Sequence, residues 1–154
     1  MSVLEPAGAP ARPSEDNRSA AGFTATGKGK AVASILIIDD SPTDVRVFTT
    51  MLEKAGHRVG AVGSAEEGIE RVRSEQPDLV IMDVIMPGMN GFQATRTLAR
   101  DPETAAVPIV MITTKSMETD RVWGLRQGAR AFITKPVKEK DLLACINDLL
   151  PGAA

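Results

Sequence analysis

Apolar residues gather into five short blocks, with amphipathic stretches between them. Ile35 to Ile38, Leu79 to Met82 and Ile109 to Ile112 are unbroken apolar runs, the pattern of strands buried on both faces. Two weaker blocks, His57 to Val62 and Ala131 to Ile133, complete five predicted strands. The stretches between them carry helix signals. Ser41-Pro42-Thr43-Asp44 predicts a helix start, with Ser41 as cap and Pro42 at the first helical position. Val45, Phe48, Leu52 and Ala55 follow at helical spacing, and Gly56 stops the helix. Ser64 with Glu67 predicts a capping box opening a second helix through about Ser74. Asn90 caps a third helix ending near Arg100, and a fourth runs from about Met117 to Gln127, closed by Gly128. A last helix, from about Lys138 to Leu150, carries Leu142, Ile146 and Leu149 on one face. Strand and helix thus alternate five times. The alternation predicts an α/β fold: a doubly wound, five-stranded parallel sheet with helices on both faces and right-handed crossovers.

The first 33 residues stand outside this pattern. They are rich in Ala, Gly, Pro, Ser and Thr, and their only large apolar residues are Val3, Leu4, Phe23 and Val32. Such a segment cannot bury enough surface to offset its ordering entropy. It is expected to be a disordered tail, with the folded domain over 34–150 and a short C-terminal tail over 151–154. With so little chain after Leu150, a stand-alone domain without a DNA-binding or enzymatic output domain is expected.

Composition narrows the compartment and the partners. Of 154 residues, 43% are hydrophobic and 25% charged, as in ordinary soluble domains. No run approaches the ~20 apolar residues that a membrane helix requires, and no signal peptide is visible. The single cysteine, Cys145, cannot form an internal disulfide, which points to the cytoplasm. A net charge of -2 without a basic block argues against nucleic-acid binding.

The candidate chemistry lies where the strands end. Asp39 and Asp40 end strand one, Asp83 ends strand three, Thr113 ends strand four and Lys135 ends strand five. In a parallel sheet these ends share one edge, where ligands sit. Three carboxylates, a hydroxyl and an ammonium should therefore converge on one crevice. Carboxylates that close repel unless a cation holds them ionised. An all-oxygen donor set fits Mg²⁺, and the lack of a His or Cys cluster argues against softer-ligand metals. With a phosphoryl group present, Lys135 and Thr113 can neutralise and orient its oxygens. An Asp carboxylate is itself a nucleophile for phosphoryl groups.

At these residues the chain resembles the response-regulator receiver domains of two-component signalling, of chemotaxis type. Asp39 to Asp83, Asp83 to Thr113 and Thr113 to Lys135 are 44, 30 and 22 positions apart, like that family's acidic pair, acceptor, hydroxyl and Lys-Pro. The resemblance covers about 34–150 and implies the flavodoxin-like (βα)5 receiver fold. It implies that Asp83 accepts a phosphoryl group from a histidine kinase. It implies Mg²⁺ bound directly by Asp40, Asp83 and the backbone carbonyl of Ile85, with Asp39 acting mainly through water. Lys135 would pair with the phosphoryl oxygens, and the Lys135-Pro136 bond would be cis. Thr113 and Phe132 would form the switch, and a downstream protein target would read helix four, strand five and helix five. The stretches NGFQATRTL and TTKSMETDRVWGLRQGARAFITKPV are similar to the twitching-motility regulators of the type IV pilus system, within the same family. Phe132 stands where that family often has tyrosine, keeping the ring without the hydroxyl.

Such a domain assists its own phosphorylation and dephosphorylation but is not a turnover enzyme. A phosphate sink for a shared kinase remains an alternative. A phosphatase with an Asp nucleophile would want a second carboxylate two residues after Asp83, where Ile85 stands, and a substrate-binding cap. A flavin-binding domain would need a phosphate-cradling first loop, but Asp39, Asp40 and Asp44 would repel phosphate there. Among the remaining residues, His57 is expected to be a solvated loop histidine and Cys145 a small core thiol. Met86 and Met89 are expected to pack, and Arg71, Arg73, Arg96 and Arg100 to face solvent. Val122 and Leu125 are candidates for the core contacts of the fourth helix. Trp123 is balanced between core packing and partner contact.

Overall fold

The computed structural model describes residues 32–150. The disorder expected of the N-terminal tail, apart from Val32 and Ala33, and the C-terminal tail over 151–154 lie outside the described residues. Five strands and five helices alternate: β1 (Ser34–Ile38), α1 (Pro42–Lys54), β2 (Arg58–Val62), α2 (Ala65–Glu75), β3 (Leu79–Met82), α3 (Gly91–Arg100), β4 (Ile109–Thr113), α4 (Glu118–Gln127), β5 (Ala131–Thr134) and α5 (Glu139–Leu149). The local caps act as read, except that at Ser64 only the hydroxyl half of the expected capping box forms. The Ser41 hydroxyl accepts the Asp44 N–H at 3.2 Å and the Ser64 hydroxyl accepts that of Glu67 at 3.2 Å. The complete reciprocal box is at Asn90, which exchanges bonds with Gln93 at 2.9 and 3.1 Å. Gly56 and Gly128 follow helix ends with φ of 96° and 121°, conformations that a side chain disfavours.

All strand pairs are parallel, in the order β2-β1-β3-β4-β5. Because strand side chains alternate in direction, the sheet divides its apolar residues between two cores. Leu36, Ile38, Val80, Met82 and Met111 pack with Ile69 and Val72 of α2 and Ala94 and Leu98 of α3. Ile35, Ile37, Leu79, Ile81 and Ile112 pack with Phe48 and Leu52 of α1 and Leu142 and Ile146 of α5. The doubly wound, flavodoxin-like fold expected of the receiver resemblance is the fold found. Met86 is buried and Met89 packs against the first core. Cys145 packs against the second, where burial, followed by the nearby Asp148, raises its thiol pKa.

Two sequence expectations need correction. His57 is not a solvated loop residue: it is 5% exposed. After α1 the Gly56 turn sends the chain back, and His57 N–H donates to Leu52 O at 3.0 Å. The ring then lies beneath the entry to β1, where its Nδ1 accepts the N–H of the buried Ala33 at 3.0 Å. His57→Ala is expected to cost about 2 kcal/mol, because a buried donor loses its acceptor. Urea unfolding measures this, and an unchanged midpoint would show that the bond contributes nothing.

Val122 is the second correction. Leu125 packs against the core, but Val122 is 41% exposed. The buried residue of α4 is Gly124, where an added Cβ would lie 2.8 Å from the Met111 sulfur and 3.0 Å from the Phe132 ring. Close approach at Gly124 turns Val122 and Trp123 outward.

Candidate functional site

Backbone ladders carry the candidate side chains to one rim. Asp39 N–H donates to Val62 O at 3.1 Å, and Asp83 N–H to Ile38 O at 2.9 Å. Lys135 N–H donates to Thr113 O at 2.8 Å. The residues just beyond each strand are thus held nearly as firmly as the strands. β1 and β3 are neighbours whose following helices, α1 and α3, pack on opposite faces. Their C-terminal ends therefore open a crevice between them.

Asp39, Asp40 and Asp83 meet in that crevice, each offering an oxygen within 4.8 Å of the others. Asp39 and Asp83 are buried, and Asp40 is exposed. Asp39 Oδ1 accepts the Ser41 N–H at 2.9 Å, and its Oδ2 accepts from Lys135 at 3.1 Å. Asp83 Oδ1 accepts the Val84 N–H at 2.8 Å. Burial, followed by repulsion from Asp39, lifts the Asp83 carboxyl above its usual pKa. The charge of Lys135 and hydrogen bonds from Thr113 and Val84 oppose that rise. Burial alone would lower the Lys135 pKa. Its hydrogen bonds to Asp44 and Asp39 and the charges of Asp83 and Asp39 raise it instead. A clustered, partly desolvated set of like charges is a common mark of a functional site.

The other singled-out residues surround this centre. Thr113 is fully buried at the end of β4. Phe132 packs against the first core beside Gly124. Ile85 follows Asp83 in the loop, with its side chain 54% exposed. The Lys135-Pro136 peptide is cis. Trp123 is 48% exposed and lies on α4 with Val122, just after the exposed Met117. The sequence marks Asp44 as part of a helix start and as an acid that would repel phosphate, but not as a partner of Lys135, whose Nζ lies 2.6 Å from its Oδ2. The available signal was an acid one helical turn beyond the acidic pair, on the helix leaving the same rim.

The donor set fits a hard divalent cation. All three acids present oxygen, and the single ammonium among them leaves excess negative charge. Both Asp39 oxygens already accept hydrogen bonds, whereas Asp40 faces solvent.

Comparison with known proteins agrees with this geometry. Residues 35–147 match the family described as the response regulator receiver domain. The chain is 54% identical to Protein PilH of Pseudomonas aeruginosa over 121 residues, 79% of this chain and all of that one. It is 39% identical to the DNA-binding response regulator MtrA of Mycolicibacterium smegmatis, covering 73% of this chain and only 48% of that longer protein. The Vibrio cholerae chemotaxis protein CheY4 superposes with a TM-score of 0.73 at 28% identity, over 78% of this chain and 100% of that one. The receiver domain of the Pseudomonas aeruginosa sensor histidine kinase PA1611, solved with a magnesium ion coordinated in its active site cleft, gives 0.71 at 27% identity, over 77% and 98%. A three-acid crevice on a 2-1-3-4-5 parallel sheet and a match across most of the sequence have one reading: the chain belongs to the response regulator receiver domain family, a family of signalling domains.

Proposed function

We propose that the unit spanning 34–150 accepts a phosphoryl group on Asp83 from the phosphohistidine of a histidine kinase and signals by protein–protein contact. The observation that carries this reading is the buried Asp83 beside two further acids, one lysine and one buried threonine. Asp83 attacks phosphorus through a carboxylate oxygen. The new P–O bond forms as the P–N bond breaks, and the donor imidazole nitrogen keeps the bonding pair. Asp40, Asp83 and the Ile85 carbonyl would hold Mg²⁺, with Asp39 acting mainly through water. Bound Mg²⁺ supplies charge neutralisation for the phosphoryl oxygens. Lys135 donates to one of those oxygens and the Thr113 hydroxyl to another.

Movement of Thr113 towards the phosphoryl group makes room for the Phe132 ring, and this shift reaches α4, β5 and α5. Exposed Met117, Val122 and Trp123 give that face an apolar contact surface for a protein target. Likeness to PilH favours a role in twitching motility or related chemotaxis-type signalling, in the cytoplasm. Among the described residues no helix is long and apolar enough to cross a membrane. Phosphotransfer from purified histidine kinases, followed by mapping of the labelled residue, tests the proposal. Label on a residue other than Asp83 would overturn it.

The metal assignment has its own test. Asp40→Asn is expected to weaken Mg²⁺ about tenfold or more, and more than Asp39→Asn, since direct carboxylate ligation is lost. Calorimetric titration decides it, and an unchanged affinity in Asp40→Asn would remove Asp40 from the ligand set.

A further inference from the structure

Lys135 makes its shortest polar contact outside the acidic pair. Its Nζ lies 2.6 Å from Asp44, 3.1 Å from Asp39 and 3.7 Å from Asp83. Asp44 is the third residue of α1, and its backbone N–H is held by the Ser41 cap. An acid in a first helical turn is commonplace, because it complements the helix dipole from a solvated position. The Asp44 side chain is instead turned onto Lys135 and is only 34% exposed.

We propose that Asp44 is a positioning residue that draws Lys135 into a closer contact than the one it makes with Asp83, until a phosphoryl group on Asp83 competes for the ammonium. The proposal rests on the reading of Asp83 as phospho-acceptor. An ammonium has three protons, and Asp44 and Asp39 take two of them. A phosphoryl group on Asp83 adds negative charge and strong acceptor oxygens. Lys135 already lies within ion-pair distance of Asp83, and turning its ammonium fully onto the new oxygens weakens the Asp44 contact, the shortest it makes. Asp44 therefore stabilises the unphosphorylated arrangement and not the phosphorylated one. Such a differential contact shifts the balance between two states by its own strength. The pair lines a cleft of about 380 Å³ between α1 and the segment after β5, beside Phe48 and Val137.

Beryllofluoride in excess Mg²⁺, a mimic of the phosphoryl group, tests this. Asp44→Asn and Asp44→Ala are expected to bind it about three- to tenfold more tightly than the parent. Fluorine NMR titration measures the affinity. At about 1 M salt the Debye length is ~3 Å. The gain should survive there, because it arises from a lost direct contact and not from charge felt through solvent. Equal or weaker binding in both variants, or a gain that vanishes in high salt, overturns the proposal. If the parent itself fails to bind beryllofluoride, the phospho-acceptor reading fails. The Lys135 side-chain ammonium resonance then decides: a shift in Asp44→Asn supports the clamp, and an unmoved resonance rejects it.

Discussion

Asp83→Asn is expected to lose covalent phosphorylation, by about 10³-fold or more, because the amide cannot replace the carboxylate nucleophile. A phosphate-affinity gel after incubation with a phosphorylated kinase measures this. Retained label would move the acceptor elsewhere. The same substitution should stabilise the metal-free protein. Burial and Asp39 hold the Asp83 carboxyl above its usual pKa, so the folded state binds that proton more tightly than the unfolded state does. Stability from this group is present below its unfolded pKa and is lost as pH rises through the raised folded value. At neutral pH Asp83 is therefore a cost to the fold, which the neutral amide removes. The variant should melt higher, at roughly 2–4 °C per kcal/mol for a chain of this size. Its advantage should shrink as pH falls through that window, and Mg²⁺ should narrow it by stabilising the parent. Equal melting temperatures for parent and variant across the pH series would show that Asp83 carries no such penalty.

Gly91→Ala is expected to cost about 3 kcal/mol or more, and to lower phosphotransfer with it. Gly91 opens α3, and its N–H donates to Val84 O at 2.9 Å. A Cβ there would strike the Asp83 carbonyl oxygen, with Val84 Cα at 2.8 Å. These are backbone atoms and cannot rotate away. The Asn90–Gln93 capping box fixes the helix start on the other side. Either α3 or the segment carrying Asp83 must therefore shift. Gly60→Ala is the contrast: its Cβ meets the flexible end of Arg71 at 3.1 Å, so a change within about 0.5 kcal/mol is expected. Urea unfolding of both variants checks the pair. Equal midpoints would show that the loop after β3 yields more readily than its packing implies.

Much of this architecture was legible along the chain. The apolar runs of β1, β3 and β4 are buried throughout, and burial on both faces is what an unbroken run requires. The caps at Ser41, Ser64 and Asn90 act within three residues, so local sequence encodes them fully. The rim followed by inference: parallel alternation puts every strand end on one edge, which gathers Asp39, Asp40, Asp83, Thr113 and Lys135 without knowledge of strand order.

Contacts between residues distant in sequence were set by the packing of the elements. His57 accepts a bond from Ala33, 24 positions earlier, and no periodicity in its own segment marks that contact. Val122 fits the helical pattern as well as Leu125 does, yet close approach at Gly124 chose which of them is covered. Lys135 reaches Asp44 across 91 positions. The alternation, the helix starts and the rim are encoded along the chain, because they follow from backbone periodicity and short-range hydrogen bonds. Only the folded chain chose the partners of His57, Gly124 and Lys135, because side-chain contacts between elements depend on how the helices seat on the sheet.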